Sequence, residues 1–200
     1  MTIRAWAIKR SELKPLSRSG LILFAVRCAL RVEPWVPMGT VWRDGLRIAT
    51  DGAFAEPTAA KSRSAHARAV SDEGARHANR LHGTASEDLG RCANYATSTL
   101  AIAVEMNGET DAKKLVDLAM AAAKHAGSIG PVRAHAGRIV ASNGTDVVAL
   151  VATAAYDAMR GDIGLLVTGT ARVEKATDRV KELRALGPLW PDGPPAWSAP

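Results

Sequence analysis

Leu21-Ile22-Leu23-Phe24-Ala25-Val26-Arg27-Cys28-Ala29-Leu30-Arg31-Val32 is the stretch that decides the fold. Only Arg27 and Arg31 interrupt its apolar surface. Spaced four apart, they fall on one face of a helix, which leaves nearly the whole remaining circumference free for burial. Such a helix is central rather than peripheral. Ser17 or Ser19 is placed to cap its start, and Pro34 requires it to stop near Glu33, because the residue before a proline avoids helical geometry.

Composition agrees with a core built on that helix. The chain has 200 residues, of which 47% are hydrophobic, enough for one sizeable core. Aromatics make up only 4% and alanine close to a fifth, so the interior must be filled by small and aliphatic side chains on closely packed helices. A sheet protein would need more Val, Ile, Tyr and Phe. The expectation is therefore an all-α bundle of about seven or eight helices over residues 1–187, as a single domain, followed by an extended tail over 188–200.

Outward from the first helix, Thr40 is placed to cap a second one carrying Val41, Trp42, Leu46 and Ile48 towards Phe54. Ala67, Val70, Gly74, Ala78 and Leu81 recur at steps of three and four, which predicts a third. Thr84 and Glu87 have the spacing of a capping box and predict a helix from there to a left-handed stop at Asn107-Gly108. Thr110-Asp111 opens the next, ended by Gly127, and Pro131 begins a short helix through Ile139 that Asn143-Gly144 closes. Val147 to Met159 reads as a second strongly apolar helix, packed beside the first. Thr170 to Leu186 is amphipathic and belongs on the surface. Beyond Gly187, five of thirteen residues are proline, so the tail is neither helix nor central strand.

Charge and cysteines bound the setting. The formal net charge is +6, and residues 1–100 hold 15 Lys/Arg against 9 Asp/Glu, whereas residues 101–200 hold 11 of each. No dense basic run forms. Cys28 and Cys92 lie far apart without neighbouring ligand residues, which points to neither a disulfide framework nor a metal knot. Charges interrupt the N-terminal residues and the Leu21 to Val26 run is too short to cross a bilayer, so a cytoplasmic address with no membrane partner is expected.

A search for chemistry yields no catalytic residue, no metal site and no cofactor. Glycine-rich phosphate loops, HExxH and CxxC pairs, GxSxG elbows and calcium loops do not occur in the sequence. His77 and His82 are five apart, poor spacing for shared coordination on a helix. Asp146 and Asp157, on one face of the second apolar helix, are expected to pair with Arg27 and Arg31 as a structural ion network, since a buried charge needs a partner. Arg63, Arg68, Arg76 and Arg80 are the candidates for nucleic-acid contact, and they carry charge alone.

The stretch Phe24-Ala25-Val26-Arg27-Cys28-Ala29-Leu30-Arg31-Val32-Glu33-Pro34-Trp35, followed by a loop, Trp42 and alanine-spaced helices, resembles the alanine-rich immunity proteins found beside bacterial toxin and other conflict systems. The resemblance implies an all-helical, non-enzymatic protein that binds a cognate toxin or effector. Tryptophan is enriched at binding hot spots, so Trp35, Trp42, Trp190 and Trp197 are the partner-binding candidates. The tail tryptophans either dock on their own domain or bind another chain. Two other readings stand beside this one: a nucleic-acid binder that uses the basic first half, and an enzyme with a dispersed site.

Overall fold

The computed structural model describes residues 7–35, 40–51, 59–135, 147–169 and 176–193. Among them are eight α-helices and no strand: α1 (Arg10–Leu13), α2 (Arg18–Val32), α3 (Thr40–Thr50), α4 (Ala60–Leu81), α5 (Glu87–Met106), α6 (Ala112–His135), α7 (Val147–Gly169) and α8 (Ala176–Ala185). The expected all-α architecture is what forms.

Helix α2 is the hub. Ser17 caps it, its hydroxyl accepting from the Gly20 amide at 3.1 Å, and every residue from Ser19 to Ala29 is buried. It packs against α5, α6 and α7, while α4 lies outside against α5 and α3. Its last turn tightens into a 3-10 segment, Glu33–Trp35, where Pro34 ends the α-helical pattern.

Small residues set the helix spacing. A Cβ added at Gly74 on α4 would fall within 1.8 Å of the Thr97 hydroxyl on α5, so only glycine allows the two backbones this approach. Alanines at 67, 93, 96, 103, 119, 122, 123, 126 and 155 continue the close packing, each buried. This is how a chain with few aromatics fills its interior.

Several boundaries differ from the sequence reading. Helix α6 does not stop at Gly127 but runs through it and through Pro131 to His135. Gly127 is a contact position: a Cβ there would sit 2.6 Å from the Tyr156 ring of α7. Pro131 withholds one amide from the Gly127 carbonyl, and the burial of Ile129 and Val132 on either side keeps the helix continuous across that gap. Helix α7 likewise passes Met159 and continues over Gly161 and Gly164.

The Thr84 and Glu87 pair serves the preceding turn. Thr84 Oγ1 donates to the Leu81 carbonyl at 2.6 Å and accepts from the Ser86 amide at 3.2 Å, while Glu87 Oε2 accepts from the Gly83 amide. Helix α5 begins only at Glu87, after Ser86. Asn107 does not adopt a left-handed stop, since its φ is −60°. Asp111 caps α6, its Oδ1 accepting from the amides of Lys113 and Lys114. The expected turns at Ile139 and Asn143-Gly144, together with Phe54, Thr170, Asp146 and Trp197, lie outside the described residues.

Candidate functional site

The most elaborate polar arrangement lies where α2, α7 and the tail meet. Arg27 and Arg31 point from the same face of α2, as their spacing requires, and both are buried. They converge on Asp162 of α7. Arg27 Nε donates to Asp162 Oδ1 at 2.8 Å and Arg31 Nη1 to Oδ2 at 2.5 Å, so both carboxylate oxygens are used. The partner expected from the sequence was Asp146 or Asp157. Asp146 lies outside the described residues, and Asp157 is exposed, with its Oδ1 accepting from Arg160 of the same helix at 3.3 Å.

The signal for Asp162 was present but hidden by the helix end. Once α7 is extended past Gly161, Asp162 falls on the buried face shared by Ala155, Met159, Ile163 and Leu166. Two cations facing one anion would leave a buried excess of charge. The remaining donors meet backbone carbonyls instead: Arg27 Nη1 and Nη2 reach Gly187 and Pro188 at 3.0 and 2.9 Å, and Arg31 Nε and Nη2 reach Leu189 and Ala158 at 3.0 and 3.2 Å. Five fixed donors per guanidinium make this division possible.

Electrostatics follow from that enclosure. Burial lowers the Arg27 pKa from its ordinary value, opposed chiefly by the Asp162 charge. The neighbouring Cys28 thiol is fully enclosed, and burial pushes it up to about 12, so it is an unreactive packing residue.

The tail begins at Gly187, whose φ of +70° turns the chain out of α8. Three successive carbonyls, of Gly187, Pro188 and Leu189, are then held by the two arginines. Trp190 closes the arrangement with its ring 5.6 Å from the Arg31 guanidinium carbon, a cation–π contact, and packs in part against the core. On its other contacts Trp190, with Pro191, Asp192 and Gly193, lines a cavity of about 410 Å³ whose opposite wall is Ala154, Asp157 and Ala158 of α7.

Trp35 and Trp42 are not on this surface. Both are core residues, 5% and 4% exposed, which removes them from the expected partner contact. Trp42 lies on the buried side of α3 with Gly45, Ile48 and Ala49, and its Nε1 donates to Glu33. With so few aromatics in the chain, large rings are drawn into the interior. Trp190 is therefore the one expected contact residue that the described structure places beside an open cavity, and Trp197 lies outside the described residues.

A second polar centre, not foreseen from the sequence, surrounds Asn107 at the end of α5. Its Nδ2 donates to the carbonyls of Ile48 and Asp51 at 2.9 and 2.6 Å, closing the end of α3, and its Oδ1 accepts from Arg179 of α8 at 2.6 Å. Arg18, the first residue of α2, donates to the Asn107 and Glu109 carbonyls. Glu109 itself is held down to about 2 by its bond to Lys114 and by the amides of Asp111 and Thr110. Arg63, counted among the basic candidates, is buried with its guanidinium close to Gly108, and only Arg68, Arg76 and Arg80 of that set are exposed.

Between α4, α5 and α6 runs a third feature, a groove of about 310 Å³ that includes Arg68, Ser98, Glu105 and His125. His125 stacks edge-on against Tyr95 at 5.7 Å, and burial lowers its pKa, which favours the neutral ring. Among the described residues no group of three or more His, Cys, Asp or Glu side chains could hold a metal ion, and no helix is long and apolar enough to cross a membrane. Comparison with protein families, curated proteins and solved structures gives no match.

Proposed function

We propose that this chain is a non-enzymatic protein-binding module, an immunity or defence-associated accessory protein that engages a cognate toxin or effector. The observation that carries the reading is Trp190, which is fixed by Arg31 on the bundle and lines the cavity between the tail and α7. An aromatic ring already immobilised loses little freedom on binding, which is the condition under which tryptophan acts as a hot spot. Asp157 and Asp192 border the same cavity, so the chemistry it fits is a basic or aromatic side chain inserted by a protein partner. The resemblance of Phe24 to Trp35 supports the narrower identification of that partner as a toxin or effector.

The nucleic-acid reading now rests on Arg68, Arg76 and Arg80 of α4, with Asp72 set between the first two on the same face. An interleaved carboxylate weakens a phosphate-binding stripe. The protein-binding reading is therefore preferred.

The test is isothermal titration of the full-length chain with the purified product of the adjacent gene. Binding is expected for the wild type, with a loss of about tenfold or more in Trp190→Ala and in Asp192→Asn. Asp192→Asn leaves the arginine cluster intact and so separates contact from stability. Absence of binding, or equal affinity in both variants, would refute the assignment. Retention of the wild type on duplex DNA or RNA, falling steeply with salt, would favour the nucleic-acid reading instead.

A further inference from the structure

The tail of this chain occupies a preformed binding site. Arg27, Arg31 and Asp162 come from α2 and α7, two helices already fixed by their packing against each other and against α6. Their side chains are at most 3% exposed and orient one another through the shared carboxylate. What they grip is mostly backbone: the carbonyls of Gly187, Pro188 and Leu189, at 3.0, 2.9 and 3.0 Å. Only Trp190 adds a side-chain feature, through its ring over Arg31. A site of this kind recognises a run of backbone carbonyls followed by an aromatic ring, whichever molecule supplies it.

Gly187 sits at the joint between α8 and the held segment, with a φ of +70° that glycine adopts without strain. A change of torsion there redirects everything beyond it while α8 stays in place. Pro188 and Pro191 stiffen the segment, so little conformational freedom is lost when it docks.

We propose that the Arg27–Arg31–Asp162 site accepts the Gly187–Trp190 segment from a second copy of this chain, so that two molecules exchange tails. A second copy presents the same carbonyls and the same ring to the same donors, and no new contact is required. Within one molecule the attached tail prevails at low concentration, because its effective concentration at the site is on the order of millimolar. This goes beyond the partner contact proposed above: Trp190 takes part in both, but tail exchange needs only its contact with Arg31 and not the cavity bordered by Asp157 and Asp192, and the peptide assay contains no partner protein.

The test uses the full-length chain and a fluorescent synthetic peptide spanning Ala185 to Gly193. Trp190→Ala weakens the attached tail and vacates the site for the peptide. Fluorescence anisotropy is expected to show the peptide binding this variant at least about tenfold more tightly than the wild type, whose site is filled. Replacing tryptophan by alanine in the peptide is expected to lose about tenfold in affinity. No binding, equal binding to both proteins, or indifference to the peptide's tryptophan overturns the proposal. If Trp190→Ala fails to fold by circular dichroism, the wild type carries the test in analytical ultracentrifugation at rising concentration. A dimer that excess peptide dissolves supports tail exchange, and a monomer at every concentration overturns it.

Discussion

Helix α2 carries a buried polar centre at each end, and the two are built on different principles. Near its C-terminus, Arg27 and Arg31 share the charge of Asp162 and spend their other donors on carbonyls of α7 and the tail. At its N-terminus, Arg18 and the buried Arg179 converge on Asn107, a neutral amide that donates in turn to two carbonyls at the end of α3. One centre is organised by a charge and the other by an amide able to donate and accept at once. In both, backbone carbonyls do much of the neutralising. A buried arginine is thus stabilised as much by where helices and loops end as by the carboxylates nearby.

Removing the charge at one centre and the amide at the other should separate these principles. Asp162→Ala leaves two guanidiniums without their anion, and a loss of about 3–5 kcal/mol is expected in urea unfolding. Asn107→Ala removes a neutral hub, and about 1–3 kcal/mol is expected in the same measurement. A loss at Asn107 equal to or above that at Asp162 would break the distinction between the centres. Trp190→Ala, which deletes the ring over Arg31 and loosens the hold on the Leu189 carbonyl beside it, is expected to cost about 1–2 kcal/mol.

The Asn107 centre also has an acid signature. Glu109, whose backbone carbonyl accepts from Arg18, has a carboxyl held at about 2, against an ordinary value of 4.5. Its folded pKa is depressed, so its contribution to stability is complete above about 4.5 and is lost as pH falls towards 2. Glu109→Gln is expected to flatten the stability profile in that window and leave it unchanged near neutrality in slope. The smallest effect is expected at Asp157→Asn, below about 0.5 kcal/mol, because that carboxylate is exposed and its pair with Arg160 lies at the surface. A loss comparable with Asp162→Ala would return Asp157 to the ion network read from the sequence.

The hub of the fold was legible because α2 states it twice, in an unbroken apolar run and in two arginines confined to one face. Burial of both arginines needed partners, and that much followed from physics. Which partners did not follow. Asp162 was missed because the second apolar helix was followed only to Met159, whereas packing of Ala155, Met159, Ile163 and Leu166 carries it on. The same error shortened α6, where Gly127 admits Tyr156 instead of ending the helix. The carbonyls of residues 187–189 carry no sequence signature, since every residue has one. Trp35 and Trp42 were read as surface residues from hot-spot statistics, although a core short of aromatics has more use for them. For Trp190, docking against its own bundle was one of two readings, and the contact with Arg31 realises it.

The central claim is that Arg27 and Arg31 together hold the tail inside the bundle, and their Nε–H groups report on it directly. Arg27 Nε–H is bonded to Asp162 and Arg31 Nε–H to the Leu189 carbonyl. Proton–nitrogen NMR of the arginine side chains should therefore show two Nε–H signals protected from solvent exchange, of which the Arg31 signal loses protection in Trp190→Ala while the Arg27 signal keeps it. Exchange of both signals in the wild type at the rate of a free arginine would contradict the account.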